Sequence, residues 1–114
     1  MKGDAQAAED LAADFLRRRG LTILQRNYRC RFGEIDLVAR DAATLVFVEV
    51  RLRRSARYGG AGASITSSKQ AKLIRAARHY LSACATVPDC RFDVLLLRQL
   101  EERSVDWIKS AFDA

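Results

Sequence analysis

The stretch GEIDLVARDAATLVFVEVRLRR, residues 33–54, sets Asp36 and Glu49 inside two apolar runs rich in Val, Ile, Leu and Phe. Runs of that composition read as strands, and the short gap of small residues between them reads as a turn. If the hairpin turns symmetrically about Ala42 and Ala43, residues whose numbers sum to 85 lie opposite each other. Asp36 then faces Glu49, and Glu34 faces Arg51; a loop with an odd number of residues shifts the pairing by one. Alternation along a strand places Glu34, Asp36 and Val38 on one side and Ile35, Leu37 and Ala39 on the other. On the second strand, Val46, Val48 and Val50 face the core, while Phe47, Glu49 and Arg51 share the opposite side.

Two carboxylates directly across an antiparallel pair repel, at a cost of roughly 0.2–1 kcal/mol. A divalent cation offsets that cost. Magnesium takes oxygen ligands, is held by one or two protein carboxylates, and leaves positions for water and substrate phosphate. Such an ion lowers the pKa of water and stabilises charge on a phosphodiester under attack. The bland alternative pairs Glu34 with Arg51 and leaves Asp36 and Glu49 on a solvated face, as in many hairpins with one exposed side. Spacing leaves both readings open.

The elements around the hairpin complete an α/β order. Ala8, Leu11, Ala12, Phe15 and Leu16 recur at helical spacing between Asp4 and Arg19, with Gly20 as the stop. Residues 21–31 continue as a strand, so three strands follow the first helix in a meander. RRSARYGGAGAS, with its three glycines, reads as a loop. A second helix follows, capped by Ser67 with Gln70 completing a capping box. Its apolar stripe is Leu73, Ile74, Ala77, Tyr80, Leu81 and Cys84, and Lys72, Arg75 and His79 lie opposite. After Pro88, CRFDVLLLR reads as a strand, and VDWIKSAF as an edge strand or helical turn. The expected fold is α/β, an α-β-β-β-α-β core with a mixed sheet flanked by helices.

Composition bounds the function. The 114 residues, 49% of them apolar, suffice for one core, so residues 1–114 are expected to form one domain. The net charge is +6. No acid occurs between Glu49 and Asp89, a gap holding Arg51, Arg53, Arg54, Arg57, Lys69, Lys72, Arg75 and Arg78. Removing these eight cations leaves the rest of the chain at −2, so the basicity is one block. A concentrated field of that kind gathers a polyanion, most often nucleic acid or an anionic membrane surface, the alternative being a solvated surface kept soluble by its charge. Cys30, Cys84 and Cys90 are odd in number and lack ligand spacing, which argues against a disulfide framework and a structural zinc site. The first residues, MKGDAQAAEDLAADFL, lack the basic and apolar regions of a signal peptide, and no apolar run is long enough to span a bilayer. A cytoplasmic protein without membrane association is expected.

The series AEDLAADFL, ILQRNYRCRFGEIDLVARD, LVFVEVRLR, YGGAGASITSSKQAKLIRAARHYL and CRFDVLLL resembles, over nearly the whole chain, the YraN-like family of uncharacterised bacterial proteins. That family looks like a branch of the restriction-endonuclease-like PD-(D/E)xK nuclease superfamily, similar to archaeal Holliday-junction resolvases. The resemblance implies a magnesium- or manganese-dependent endonuclease acting on DNA, branched DNA included. It assigns Asp36 and Glu49 as metal ligands and Val50 as a backbone carbonyl ligand, with Glu9 assisting metal or water binding. Resolvases act as dimers, so it also implies a homodimer. Arg51 departs from the pattern, which carries lysine there. Arginine stays protonated and cannot act as a general base, though it can hold a phosphate oxygen. Lys69 or Lys72 is the candidate substitute. If neither serves, the chain is an inactive nucleic-acid-binding module built on a nuclease scaffold.

Arg53, Arg54 and Arg57, with Lys69, Lys72 and Arg75 on the second helix, are the expected phosphate contacts. Tyr58 with Gly59, Gly60 and Gly62 reads either as a substrate-contacting flap or as a plain connection. GGAGAS lacks the Gly-Lys-Ser/Thr ending of a nucleotide P-loop. His79 has no metal-ligand partner at suitable spacing and reads as a structural or surface residue. Cys30 has no base partner for nucleophilic catalysis. Trp107 and Phe112 read as core anchors. A third function class, a scaffold whose basic block meets an acidic protein, is set apart by weak DNA binding at moderate salt.

Overall fold

The computed structural model describes residues 3–53 and 65–114. Helix α1 (Asp4–Arg18) leads into β1 (Thr22–Cys30), β2 (Gly33–Asp41) and β3 (Thr44–Leu52). Helix α2 (Ser67–Leu81), β4 (Cys90–Leu97) and β5 (Val105–Phe112) follow. The strands form one sheet in the order β1-β2-β3-β4-β5. Among the described residues only the β3–β4 pair is parallel, because α2 lies in the crossover between them. The expected mixed sheet with two helices is present, and the C-terminal stretch is an edge strand.

Each helix covers one face. Ala8, Ala12 and Leu16 of α1 pack on Leu37, Ala39, Val46, Val48, Leu95 and Leu97. Leu73, Ala76 and Ala77 of α2 pack on Ile35, Val38, Leu45, Phe47 and Phe92. Strand β3 is therefore buried on both sides, which corrects the expectation that only Val46, Val48 and Val50 face a core. Its continuous run LVFVEV suits a central strand covered twice. Trp107 and Phe112 join the two cores as anchors, Trp107 meeting the edge of Phe15 at 6.1 Å between ring centroids.

Two local devices set the ends of the helices. Gly20 takes φ 89, a left-handed value that releases the chain from α1 into β1 without a Cβ clash. Helix α2 is capped by Thr66, whose Oγ1 accepts from the Lys69 amide at 3.1 Å, and not by Ser67. Thr66 is the last extended residue and Ser67 is already helical, so the Ser67–Gln70 capping box does not form; Gln70 Nε2 donates instead to the Ile65 carbonyl. Among the described residues no helix is long and apolar enough to cross a membrane.

Candidate active site

The β2–β3 ladder pairs Asp41 with Thr44, Ala39 with Val46 and Leu37 with Val48, the register expected from a turn at Ala42 and Ala43. Beyond Leu37 the side chain of Asp36 takes over: its Oδ2 accepts from the Val50 amide at 2.8 Å. The cause lies in the neighbouring strand. Asn27 of β1 takes φ 53 between the pairs Arg26–Leu37 and Tyr28–Ile35, and the alternation of faces breaks there. Ile35 and Val38 pack on the α2 side, whereas Leu37 and Ala39 pack on the α1 side. Strict alternation through Glu34, Asp36 and Val38 is thus replaced by one kink, which holds Asp36 beside β3.

Glu49 lies next to it and is only 5% exposed. The solvated-face reading of these two acids is therefore overturned. Lys69 Nζ from α2 and Arg51 Nε from β3 each stand 3.4 Å from Glu49 Oε2. Arg51 Nε is buried and its contact is one of charge without hydrogen-bond alignment. Burial first, then a hydrogen bond to Glu49 and the charge of Glu49, push the Asp36 carboxyl up to about 7; the Val50 amide and the Lys69 charge oppose the rise. The expected Glu34–Arg51 pair is replaced by Glu34 with Arg29, at 3.6 Å.

Glu9 is buried on α1, and its Oε1 accepts from Arg26 Nε at 3.0 Å and Asn27 Nδ2 at 2.9 Å. Arg26 also bridges to Asp10, which fastens α1 to β1. Glu9, Asn27, Glu34, Asp36 and Val50 line a cleft of about 680 Å³. Asp36, Glu49, Val50, Arg51 and Lys69 are thus gathered at one place, and Glu9 shares the cleft while holding its own partners.

The other residues expected to contact phosphate lie further out. Lys72 lies alongside Gly33, and Lys72, Arg75 and Arg53 are exposed. Arg54, Arg57 and the Tyr58–Gly62 segment lie outside the described residues. His79 is exposed and hydrogen-bonds through Nδ1 to the Tyr28 hydroxyl. The three cysteines are free thiols. Two contributors escape sequence reasoning: Asn27 and Arg26, which position Glu9 from 18 and 17 residues away. The positive φ tolerated by asparagine is the one local signal that points to Asn27.

The donor set at this place bears on a divalent ion. Among the described residues no three His, Cys, Asp or Glu side chains are gathered as a ligand cage. Two carboxylates and the Val50 carbonyl nonetheless fit the sparse oxygen set typical of magnesium, and burial together with Glu49 raises the Asp36 carboxyl in spite of Lys69.

Fold and site define an α/β domain with a two-carboxylate, two-cation cluster where the central strands splay. The chain belongs to the uncharacterised protein family UPF0102, whose model matches residues 8–97. It is 58% identical over 106 residues to a UPF0102 protein of Nitrosospira multiformis, covering 93% of this chain and 89% of that one. A UPF0102 protein of Methylobacillus flagellatus is 50% identical over 114 residues, the full length of both. One from Cupriavidus taiwanensis is 56% identical over 108 residues, 94% of this chain and 80% of the relative.

Proposed function

We propose that this protein is a metal-dependent nuclease of the restriction-endonuclease-like class that cuts DNA, branched DNA included, in the cytoplasm and as a homodimer. The observation that carries the reading is the Asp36–Glu49 pair, a half-buried and a buried carboxyl hydrogen-bonded together and backed by Lys69 and Arg51. Asp36, Glu49 and the Val50 carbonyl would hold a magnesium or manganese ion, which when bound supplies an activated water and charge stabilisation on the phosphodiester. Lys69 and Arg51 balance the carboxylates and have N–H donors left for a phosphate oxygen as its charge grows. In hydrolysis the water gives one proton to solvent as its oxygen bonds to phosphorus, the P–O bond to the leaving sugar oxygen breaks, and that oxygen takes up a proton. Lys69 supplies from α2 the lysine that β3 lacks at Arg51, and an ammonium yields a proton far more readily than a guanidinium. Glu9, held by Arg26 and Asn27, is accessory on the cleft wall.

Arg51 itself favours a second reading, a DNA-binding module that no longer cuts. Purified protein with labelled branched, single-stranded and duplex DNA separates the two, using magnesium or manganese, an EDTA control and Asp36→Ala. Metal-dependent cutting that is lost in Asp36→Ala, with binding retained, is the expected result. Binding without cutting on every substrate rejects the nuclease in favour of the module, and cutting undiminished in Asp36→Ala rejects the site.

A further inference from the structure

The turn between β1 and β2 consists of Arg31 and Phe32. Neither residue takes a positive φ, so the turn itself selects no particular side chain and local geometry does not call for a phenylalanine at its tip. Phe32 is half-buried and belongs to neither core cluster. Its ring centroid lies 6.0 Å from that of His79, tilted by 60°, and the exposed Arg31 holds its guanidinium 4.8 Å over the ring. Tyr28 stands 6.0 Å from His79 on its other contact and fixes the imidazole through its hydroxyl. This aromatic group terminates a cationic line on α2. Lys69 is at Glu49, Lys72 is beside Gly33, Arg75 is exposed further along, and His79 meets Phe32. Ten residue steps along the helix lead from Lys69 to His79, about 15 Å. Four steps along the chain lead from Phe32 to Asp36, at most about 14 Å.

We infer that Phe32, with His79 beside it, is a stacking platform for an unpaired nucleobase, and that the nucleic acid tracked by Lys69, Lys72 and Arg75 is single-stranded where it meets this end of the molecule. The inference rests on the nucleic-acid reading above and narrows it. A duplex keeps its base faces stacked on one another, so an aromatic ring at the end of a phosphate track is of use only to a strand whose bases are free. Base–aromatic stacking tolerates any sequence, because every base has a π-face, while the cations supply the salt-sensitive part of the affinity. Arg31 adds a cation that can stack on a base or bind its phosphate.

The test uses the full chain and a single-stranded oligonucleotide carrying 2-aminopurine, with a duplex of the same sequence as comparison. Wild type is expected to prefer the single strand and to quench the fluorescent base. Phe32→Ala is expected to lose roughly 5- to 100-fold in affinity for the single strand, the range for removing one base stack, and to lose the quench. Its duplex binding and its slope of log K against log salt stay as in wild type, and Phe32→Trp keeps both affinity and quench. Phe32→Leu, which preserves apolar bulk, is expected to match Phe32→Ala; it stands in should the alanine variant fail to fold. Single-strand affinity unchanged in the leucine variant overturns the platform and leaves the nucleic-acid reading intact. Wild type that binds neither oligonucleotide overturns both.

Discussion

The Val50 amide donates to the Asp36 carboxylate at 2.8 Å, so a side chain replaces the next backbone rung between the two central strands. This bond anchors Asp36 to the strand that carries Glu49, and the two acids are held together by backbone geometry as well as by side-chain contact. Acids forced together by the fold are out of keeping with a purely structural sheet, where apolar pairs would be more stable. That conflict has measurable consequences for stability and for cation binding.

The first concerns pH. The Asp36 carboxyl is raised to about 7 in the folded chain from an ordinary value near 3.8. Between these values the folded state holds a proton that the unfolded state has lost, so stability falls as pH rises from about 4 to 7 and is lowest above that window. The contribution is at most about 4 kcal/mol. Asp36→Asn mimics the protonated form, accepting from Val50 and donating to Glu49. Thermal melts should show this variant more stable than wild type at pH 8 and level with it at pH 4. Equal stability at pH 8 would remove the case for a strained acid pair.

The second concerns cations. At pH 8 magnesium or manganese should raise the melting temperature of wild type, by about 1.4 kcal/mol of stability when the ion is at ten times its Kd. Asp36→Asn and Glu49→Gln should each abolish the increment. Calorimetric titration of the three proteins reads the binding without any nuclease assay. An increment that survives both substitutions would place the ion elsewhere.

Much of this arrangement is legible in the sequence, and the unread part has physical causes. The two-residue turn at Ala42 and Ala43 sets the register that brings Asp36 toward Glu49, because one miscounted residue would flip every side chain. The apolar stripe of α2 reads largely from its period, with Leu73, Ile74, Ala77, Tyr80 and Leu81 packed on the sheet, though Cys84 falls beyond the helix end at Leu81 and buried Ala76 is missed. The kink at Asn27 and Asp36 does not, since it depends on a left-handed residue in one strand and on α1 docking through Glu9, Arg26 and Asn27. Nor does sequence distance reveal that Lys69, rather than Lys72, reaches Glu49; helix α2 must first be laid on the sheet. The cap misreading has a narrower origin. Thr66 and Ser67 are both competent, and only the extended backbone of Thr66 decides between them.

The third prediction separates the two cations at Glu49. Lys69→Met should lower the cleavage rate roughly 100- to 1000-fold, the usual loss of one preorganised donor at developing charge. Arg51→Lys should leave the rate within a few-fold, because Lys69 already stands at the carboxylate. Combining Arg51→Lys with Lys69→Met should restore part of the loss. Single-turnover rates on the best substrate give the comparison, and a Lys69→Met rate equal to wild type would remove Lys69 from the chemistry.

The last prediction distinguishes this site from the other buried acid on the sheet. Asp93 on β4 is 1% exposed, but both of its carboxylate oxygens have partners. Its Oδ2 accepts from Trp107 Nε1 at 2.9 Å, its Oδ1 from the Ser110 amide at 3.0 Å, and Arg91 Nε lies 3.1 Å from both oxygens. Ser110 has φ 51, and the β4–β5 register shifts between Phe92 and Val94, so Asp93 pins the edge strand at an irregular point. Asp93→Ala removes the shared acceptor of half-buried Trp107 and Arg91 and of the Ser110 amide, while Arg91 keeps Asp41 at 3.0 Å, and should cost about 1–3 kcal/mol, the usual cost of leaving such donors unmatched. Asp93→Asn keeps the shape but sets an amide group against one of the donors, and should lose less. In urea the midpoint should fall at constant m, the sign of lost native stability. Asp36→Asn should move the midpoint the opposite way at pH 8. A loss below about 1 kcal/mol in Asp93→Ala, the scale of an ordinary hydrogen bond, would show that Trp107 and Ser110 hold the strand without it.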